Sequence, residues 1–366
     1  LKSITLTAKE KICPKAEMDC SPEACDYLIG YYDRVKEGLR DIFTNDAFTR
    51  ELIESIAAKY RLCPFEFSLD LSVISDCIIC DYNYLYDPKV QLHRYFSGGA
   101  QPFVFLVDEA HNLVERSRGM YSAALEKKEF LKIKKLINKK EYPELHKTIT
   151  TLDKYLLGVR KSSQQDQTPF KVDKECPTEF VEYLEDFIIP AEIVLSYKGS
   201  LSFREPLQEF YYYIGFFIKI AKLAKDLDAF VTITVQKGSD VTIKILCLDA
   251  SAQLRETTAK GLATIYFSAT MSPMNYFYQL LGGNENDMDM QLPSPFPEQN
   301  LCLNLINRIS TRYRDREVSY KPIADYLTAF VNQKKGNYLI CFPSYAYMDR
   351  VFEQFFPLNL EMDLVK

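Results

Sequence analysis

The sequence has no tryptophan, only 3 histidines and 13 glycines among 366 residues, and nowhere does a glycine precede a lysine. The missing Gly-Lys pair excludes a self-contained phosphate-cradling loop of the Gly-Lys-Ser/Thr type. Long apolar runs are also lacking. The most apolar stretch, residues 209–227, is interrupted by Lys219, Lys222 and Lys225 and reads as an amphipathic core helix, so no membrane span is expected. Nor is there an excess of positive charge. A formal net charge of −5 excludes binding of nucleic acid by bulk charge, although a local basic groove remains open to such a chain. No secretory signal accompanies the 10 cysteines, which points to a reducing compartment, taken as cytoplasmic, and to thiols or metal ligands rather than disulfides.

What is present is an ordinary globular balance, 47% hydrophobic and 26% charged, enriched by 25 tyrosines and 24 phenylalanines. The length calls for two or three domains. "SITLTA" at residues 3–8 reads as a short strand, and helix-forming segments with four cysteines follow over 13–63. Residues 64–118 read as α/β, 119–228 as long helices broken by a polar loop at 161–177, and 230–249 as two alternating strands around a Gly-Ser turn. Further strands are expected at 262–270 and 336–344, a helix near 318–333, and a proline-rich connector at 292–300.

"FVFLVDEAHNLVER", residues 103–116, carries the chemistry. An apolar strand delivers Asp108 and Glu109 to the carboxyl edge of a parallel sheet, where ligands of doubly wound folds bind. One carboxylate can hold the Mg²⁺ that bridges nucleotide phosphates, and its neighbour can orient and deprotonate the attacking water. The structural alternative is a helix N-terminus that favours acids. "YFSATMSP", residues 266–273, ends another apolar strand, and Ser268 and Thr270 could hydrogen-bond to the acid loop.

Cys13, Cys20, Cys25 and Cys63 are separated by 6, 4 and 37 residues. Structural zinc sites usually present two close pairs, and only one spacing here falls in that range. Four thiolates without a paired histidine suit an iron–sulfur cluster at least as well, and four unligated thiols remain the alternative. Pro14, Pro22 and Pro64 beside them favour rigid turns. Cys77 and Cys80 form a tidy Cys-x-x-Cys, but a strand would send them to opposite faces, so burial as small hydrophobes is expected. The same is expected of Cys247, Cys302 and Cys341. The lysines of 127–140 read as a solvated helix face in preference to a phosphate-tracking one.

Taken in order, the cysteine segment, "CDYNYLYDP", "VDEAHN", the helical stretch, "FSAT", "PSPF", "STRYRDR" and "NYLICFPSY" resemble the iron–sulfur superfamily-two DNA helicases of the XPD/DinG family, in particular bacterial DinG-like members. The resemblance implies an α/β fold: a RecA-like parallel-sheet motor domain (1–12, 64–118 and 229–300) interrupted by a helical iron–sulfur insert (13–63) and an all-helical Arch insert (119–228), then the start of a second RecA-like domain (301–366). It implies that Asp108 holds Mg-ATP, that Glu109 activates water, and that His111, Ser268 and Thr270 couple the site to the motor. Cys13, Cys20, Cys25 and Cys63 match the ligands of a 4Fe-4S cluster, and Asn83 a position near the single-strand path. Such enzymes move 5′ to 3′ on single-stranded DNA or at DNA junctions, powered by ATP. Their phosphate loop would precede residue 1 and their arginine-bearing motif would follow residue 366. The chain, which opens on Leu1, therefore reads as a central fragment without ATPase activity of its own. The rival reading is a nucleic-acid-binding or scaffold module with a degenerate motor and a four-cysteine zinc or iron–sulfur site. Its protein partners cannot be read from the sequence.

Overall fold

The computed structural model describes residues 1–16, 20, 25–96, 102–165, 170–197, 199, 201–225, 228–358 and 363–365. The chain divides into two compact units, residues 1–289 and 290–366. In the first unit, β1 (Ser3–Thr5) leads to α1 (Lys9–Ile12), α2 (Tyr31–Ile42), β2 (Ala47–Phe48), α3 (Arg50–Tyr60), α4 (Pro64–Val73) and β3 (Cys77–Ile79). The three strands form a parallel sheet in the order β2-β1-β3. β2 thus lies within the cysteine segment and pairs with β1 from outside it.

α2 buries Tyr31, Val35, Gly38 and Ile42, a spacing of three to four residues that aligns them on one helical face. At Gly38 a Cβ would lie 2.7 Å from Leu62 Cδ1, so the helix comes this close to residue 62 only because the side chain is absent. α3 starts at Thr49, whose hydroxyl accepts the Leu52 amide at 3.4 Å, and ends where Arg61 turns left-handed. Pro64 stands at the first position of α4, where its missing N–H costs nothing. Ile4, Ile42, Phe48, Ile53, Leu62 and Phe67 fill the core these elements share.

The chain continues through α5 (Asn83–Tyr86), β4 (Val104–Val107), α6 (Leu113–Met120), β5 (Ala123–Glu126), α7 (Lys127–Leu136) and α8 (Pro143–Gln165). Next come β6 (Phe170–Asp173), α9 (Thr178–Ser196), α10 (Arg204–Lys225), β7 (Phe230–Lys237), β8 (Asp240–Cys247), α11 (Ser251–Thr258), β9 (Ala263–Tyr266) and α12 (Met274–Leu280). β4 and β9 pair in parallel with Val107 opposite Tyr266. Parallel pairing of strands so distant in sequence, with helices between them, makes this an α/β fold.

The segment 119–228 is mostly helical but not wholly so, and the all-helical expectation is corrected here. β5 and β6 lie inside it and join the β7–β8 hairpin in a four-stranded antiparallel sheet, β5-β8-β7-β6. Strands of four residues, Ala-Ala-Leu-Glu and Phe-Lys-Val-Asp, are too short for their pattern to be told from helix or loop, and here the pairing partner decides their conformation. Consequently 230–247 packs with the helices that precede it. Phe130, Phe180, Phe187, Phe210 and Phe217 are buried between those helices, with ring centroids of successive neighbours 5.0–6.2 Å apart. Of the 127–140 lysines, Lys128, Lys132, Lys135, Lys139 and Lys140 are exposed, as expected of a solvated face, whereas Lys127 is buried, and both it and Lys134 face Asp153, at 3.4 and 2.9 Å.

The second unit contains α13 (Arg316–Val331) and α14 (Tyr345–Phe355), packed through Ala324, Val331, Tyr347, Val351 and Phe355. The strand expected at 336–344 does not form; no neighbouring strand pairs with it among the described residues. Cys302 and Cys341 are exposed outside regular secondary structure, and Cys77 and Cys80 are exposed at and just beyond the edge strand β3, contrary to the core packing expected of all four. Cys247 is buried as expected. Among the described residues no helix is long and apolar enough to cross a membrane.

Candidate functional site

The parallel pairing of β4 with β9 brings the two motif-bearing loops out side by side. The ladder runs on past the strands, with the Phe267 amide donating to Val107 O (3.0 Å) and the Ala110 amide to Phe267 O (3.2 Å). Between these bonds the chain turns sharply: Glu109 has φ 48° and ψ 39°. A left-handed glutamate costs on the order of 1–2 kcal/mol, and the cross-strand bonds on either side hold it there. The turn leaves both acids exposed at the carboxyl edge of the strand pair, with Asp108 Oδ1 accepting the Glu109 amide at 2.7 Å.

Four of the expected site residues meet at one point. Ser268 donates its hydroxyl to Glu109 Oε2 at 3.0 Å. His111 Nδ1 lies 2.7 Å from Ser268 Oγ, 3.2 Å from Thr270 Oγ1 and 3.2 Å from Glu109 Oε2. Since the Ser268 proton goes to the carboxylate, its oxygen must accept, and the imidazole tautomer protonated at Nδ1 satisfies that need. The Thr270 amide donates to the same oxygen at 3.2 Å. The Glu109 carboxylate is therefore oriented by a serine that is itself oriented by a histidine and a backbone amide. Asp108 stands beside this group with no ion-pair partner among the described residues.

Asn83, the candidate strand contact, opens α5. Its amide is capped by Asp81 Oδ1 at 2.9 Å and its side chain lies 3.5 Å from Arg116 Nη2. Three residues on, the Tyr86 hydroxyl meets the Tyr266 hydroxyl at 3.0 Å, and Tyr121 donates to Tyr86 O at 3.0 Å. Burial pushes the phenols of Tyr121 and Tyr266 up to about 12. α5 is thus tied to β9, the strand that leads to Ser268. The Tyr86–Tyr266 link was not foreseen, because tyrosines in an aromatic-rich chain carry no pairing signal.

The four candidate metal ligands are only partly brought together. Cys63 caps α4, and burial pushes its thiol up against the opposing pull of the Glu66 and Phe65 amides. Burial pulls the Lys9 ammonium down, and a hydrogen bond with Cys20, together with the charges of Cys20, Glu66 and Cys63, outweighs that and raises it. Cys13 ends α1, one turn from Lys9, and Cys25 is buried. No group of three or more His, Cys, Asp or Glu side chains is gathered for a metal among the described residues, so the four thiols do not form a closed site in this arrangement.

Comparison with known proteins bears on this arrangement. Residues 1–130 match the DEAD_2 family model. The chain is 30% identical over 131 residues to a Fanconi anemia group J protein homolog of Gallus gallus, covering 33% of this chain and 10% of that protein. It is 22% identical over 363 residues to the ATP-dependent DNA helicase XPD of Sulfolobus acidocaldarius, covering 95% of this chain and 60% of the relative. A solved XPD helicase structure aligns over 96% of this chain and 66% of its own length at 16% identity and a TM-score of 0.45. The chain spans at most 60% of the length of the curated relatives named here.

Proposed function

From the relationship of this chain to the XPD/DinG-like helicases of superfamily two, we propose that it forms part of an ATP-dependent DNA helicase that moves 5′ to 3′ along single-stranded DNA and acts at DNA junctions. The observation that carries the proposal is the Glu109–Ser268–His111–Thr270 cluster, which orients a carboxylate at the edge of a parallel strand pair. Mg²⁺, when bound with ATP, neutralises charge building up on the transferred phosphate. Asp108 offers its exposed carboxylate for that ion. Glu109 takes the proton of the attacking water, and Ser268 fixes which Glu109 oxygen faces away from the water by occupying Oε2. His111 and Thr270 keep Ser268 in the donating orientation, so a shift of the 268–270 loop changes the set of the base. Asn83 contacts the strand.

Cys13, Cys20, Cys25 and Cys63 are proposed as ligands of a 4Fe-4S cluster, with no step of the reaction assigned to it. The support is their thiol chemistry and their order in the chain.

The test is DNA-stimulated ATP hydrolysis by the protein that carries this chain together with a phosphate-binding loop. Glu109→Gln should abolish turnover while nucleotide binding persists, since only the base is lost. Wild-type turnover in that variant would overturn the assignment.

A further inference from the structure

Among the described residues Arg116 differs from the other arginines of the first unit in lying over an aromatic ring. Arg50 and Arg61 bind the carboxylates of Glu54 and Asp26 at 2.8 and 2.9 Å, and Arg118 binds Glu115 at 2.5 Å. Arg34 and Arg255 donate to backbone carbonyls. Arg116 forms no carboxylate ion pair among the described residues; its guanidinium lies 5.4 Å from the centre of the Tyr82 ring, with Nη2 3.5 Å from Asn83 Oδ1. The nearby acid, Asp81, is engaged by the Asn83 amide. α6 buries Leu113, Val114, Ser117 and Met120, which leaves Arg116 on its solvent side.

From this placement we infer that Arg116 and Tyr82, with Asn83, form a contact for single-stranded DNA; the inference rests on the reading of the chain as a DNA-handling one. The three groups have the complementary chemistries a strand requires. A guanidinium donates a planar fork to phosphate oxygens, and it also presents a flat face on which a base stacks. The Tyr82 ring centre lies 5.4 Å from the guanidinium carbon, within the ~6 Å reach of a cation–π contact, and adds an aromatic surface beside the charge. An amide beside them donates to and accepts from a base edge. A protein partner with an acidic tail would use the charge of Arg116 but not the aromatic ring and amide. The placement also has a mechanical side. Arg116 lies on α6, which begins two residues after His111, so a strand held by Arg116 pulls on the helix that follows the acid loop.

The experiment is fluorescence anisotropy of a labelled oligothymidylate titrated with the chain at several salt concentrations, starting low. Arg116→Ala should weaken binding roughly tenfold and reduce the slope of log affinity against log salt by about 0.7, the value for one phosphate contact on a single strand. Arg116→Lys should restore that slope but not the full affinity, because a lysine keeps the charge and loses the fork and the stack. Arg50→Ala, which removes an exposed arginine already paired, should leave affinity unchanged. If the wild-type chain binds and Arg116→Ala binds equally well, the inference fails while the DNA-handling reading stands. If the wild-type chain fails to bind at low salt, both fall. Lower thermal stability in Arg116→Ala, with a salt slope that Arg116→Lys does not restore, would reduce Arg116 to a structural residue and also overturn the inference.

Discussion

β4 and β9 form a parallel pair drawn from distant parts of the sequence, whereas β7 and β8 are joined directly by a turn at Gly238. The hairpin alternates cleanly: Val241, Ile243, Ile245 and Cys247 are each no more than 2% exposed, and the residues between them face outward. In the parallel pair Val104, Leu106 and Ile265 are more than half exposed, and the hydrogen-bonded cluster lies just beyond the strand ends. Apolar burial therefore holds the insert together, while the site rests on backbone ladder bonds and a few hydroxyls.

Perturbations of each region should separate them. The largest effect is expected from Phe180→Ala, which empties the centre of the aromatic cluster and should cost about 3–5 kcal/mol. Hydrogen exchange should speed up across α8–α10 and stay unchanged at 104–107; equal loss of protection in both places would break the comparison. Asp153→Ala should come next, at about 3 kcal/mol in chemical unfolding, because it strands the buried Lys127 ammonium without its partner. A fully tolerated change would mean that Lys127 finds water. Tyr266→Phe should cost about 1 kcal/mol by leaving the buried Tyr86 hydroxyl unpaired. Its effect should reach DNA stimulation of hydrolysis through β9, and unchanged stimulation would disconnect α5 from the Ser268 loop.

A further effect appears only at alkaline pH. Burial raises Tyr121 and Tyr266 from the ordinary value of 10.0 to about 12, so the folded state holds their protons longer than the unfolded state does. Their contribution to stability is complete below pH 10.0 and is lost as pH rises towards about 12. Phenolate absorbance should show a late-ionising group of tyrosines that includes Tyr31, Tyr86, Tyr121, Tyr211 and Tyr266, and in the Tyr266→Phe variant one of these late ionisations should disappear.

Much of this arrangement was legible from residues alone, and the exceptions share a cause. The run Phe103–Val107 announced a strand, and the acids after it announced a sheet edge, because both signals are local. Contact between Ser268 and the acid loop could be suggested because each follows an apolar strand. β5 and β6 could not, since their strand state comes from partners more than fifty residues away in sequence for β6 and more than a hundred for β5. The pairing of Arg116 with Tyr82 was equally silent: one residue is on a helix face and the other precedes a short helix, and only the fold sets them together. For Cys302 and Cys341 the sequence misled, because apolar neighbours signal burial only when a partner strand arrives.

The sheet order β5-β8-β7-β6 also fixes a sequence of events at the ribosome. β5 emerges early and can pair only with β8, so it waits through the synthesis of α7 to α10 and the first hairpin strand, on the order of ten seconds at ordinary elongation rates. During that interval the phenylalanine-rich helices lack the sheet that they pack against in the finished unit. The nascent protein therefore carries this apolar surface uncovered until residue 247 is available, and variants that weaken the hairpin should reduce soluble yield before they alter any property of the folded molecule.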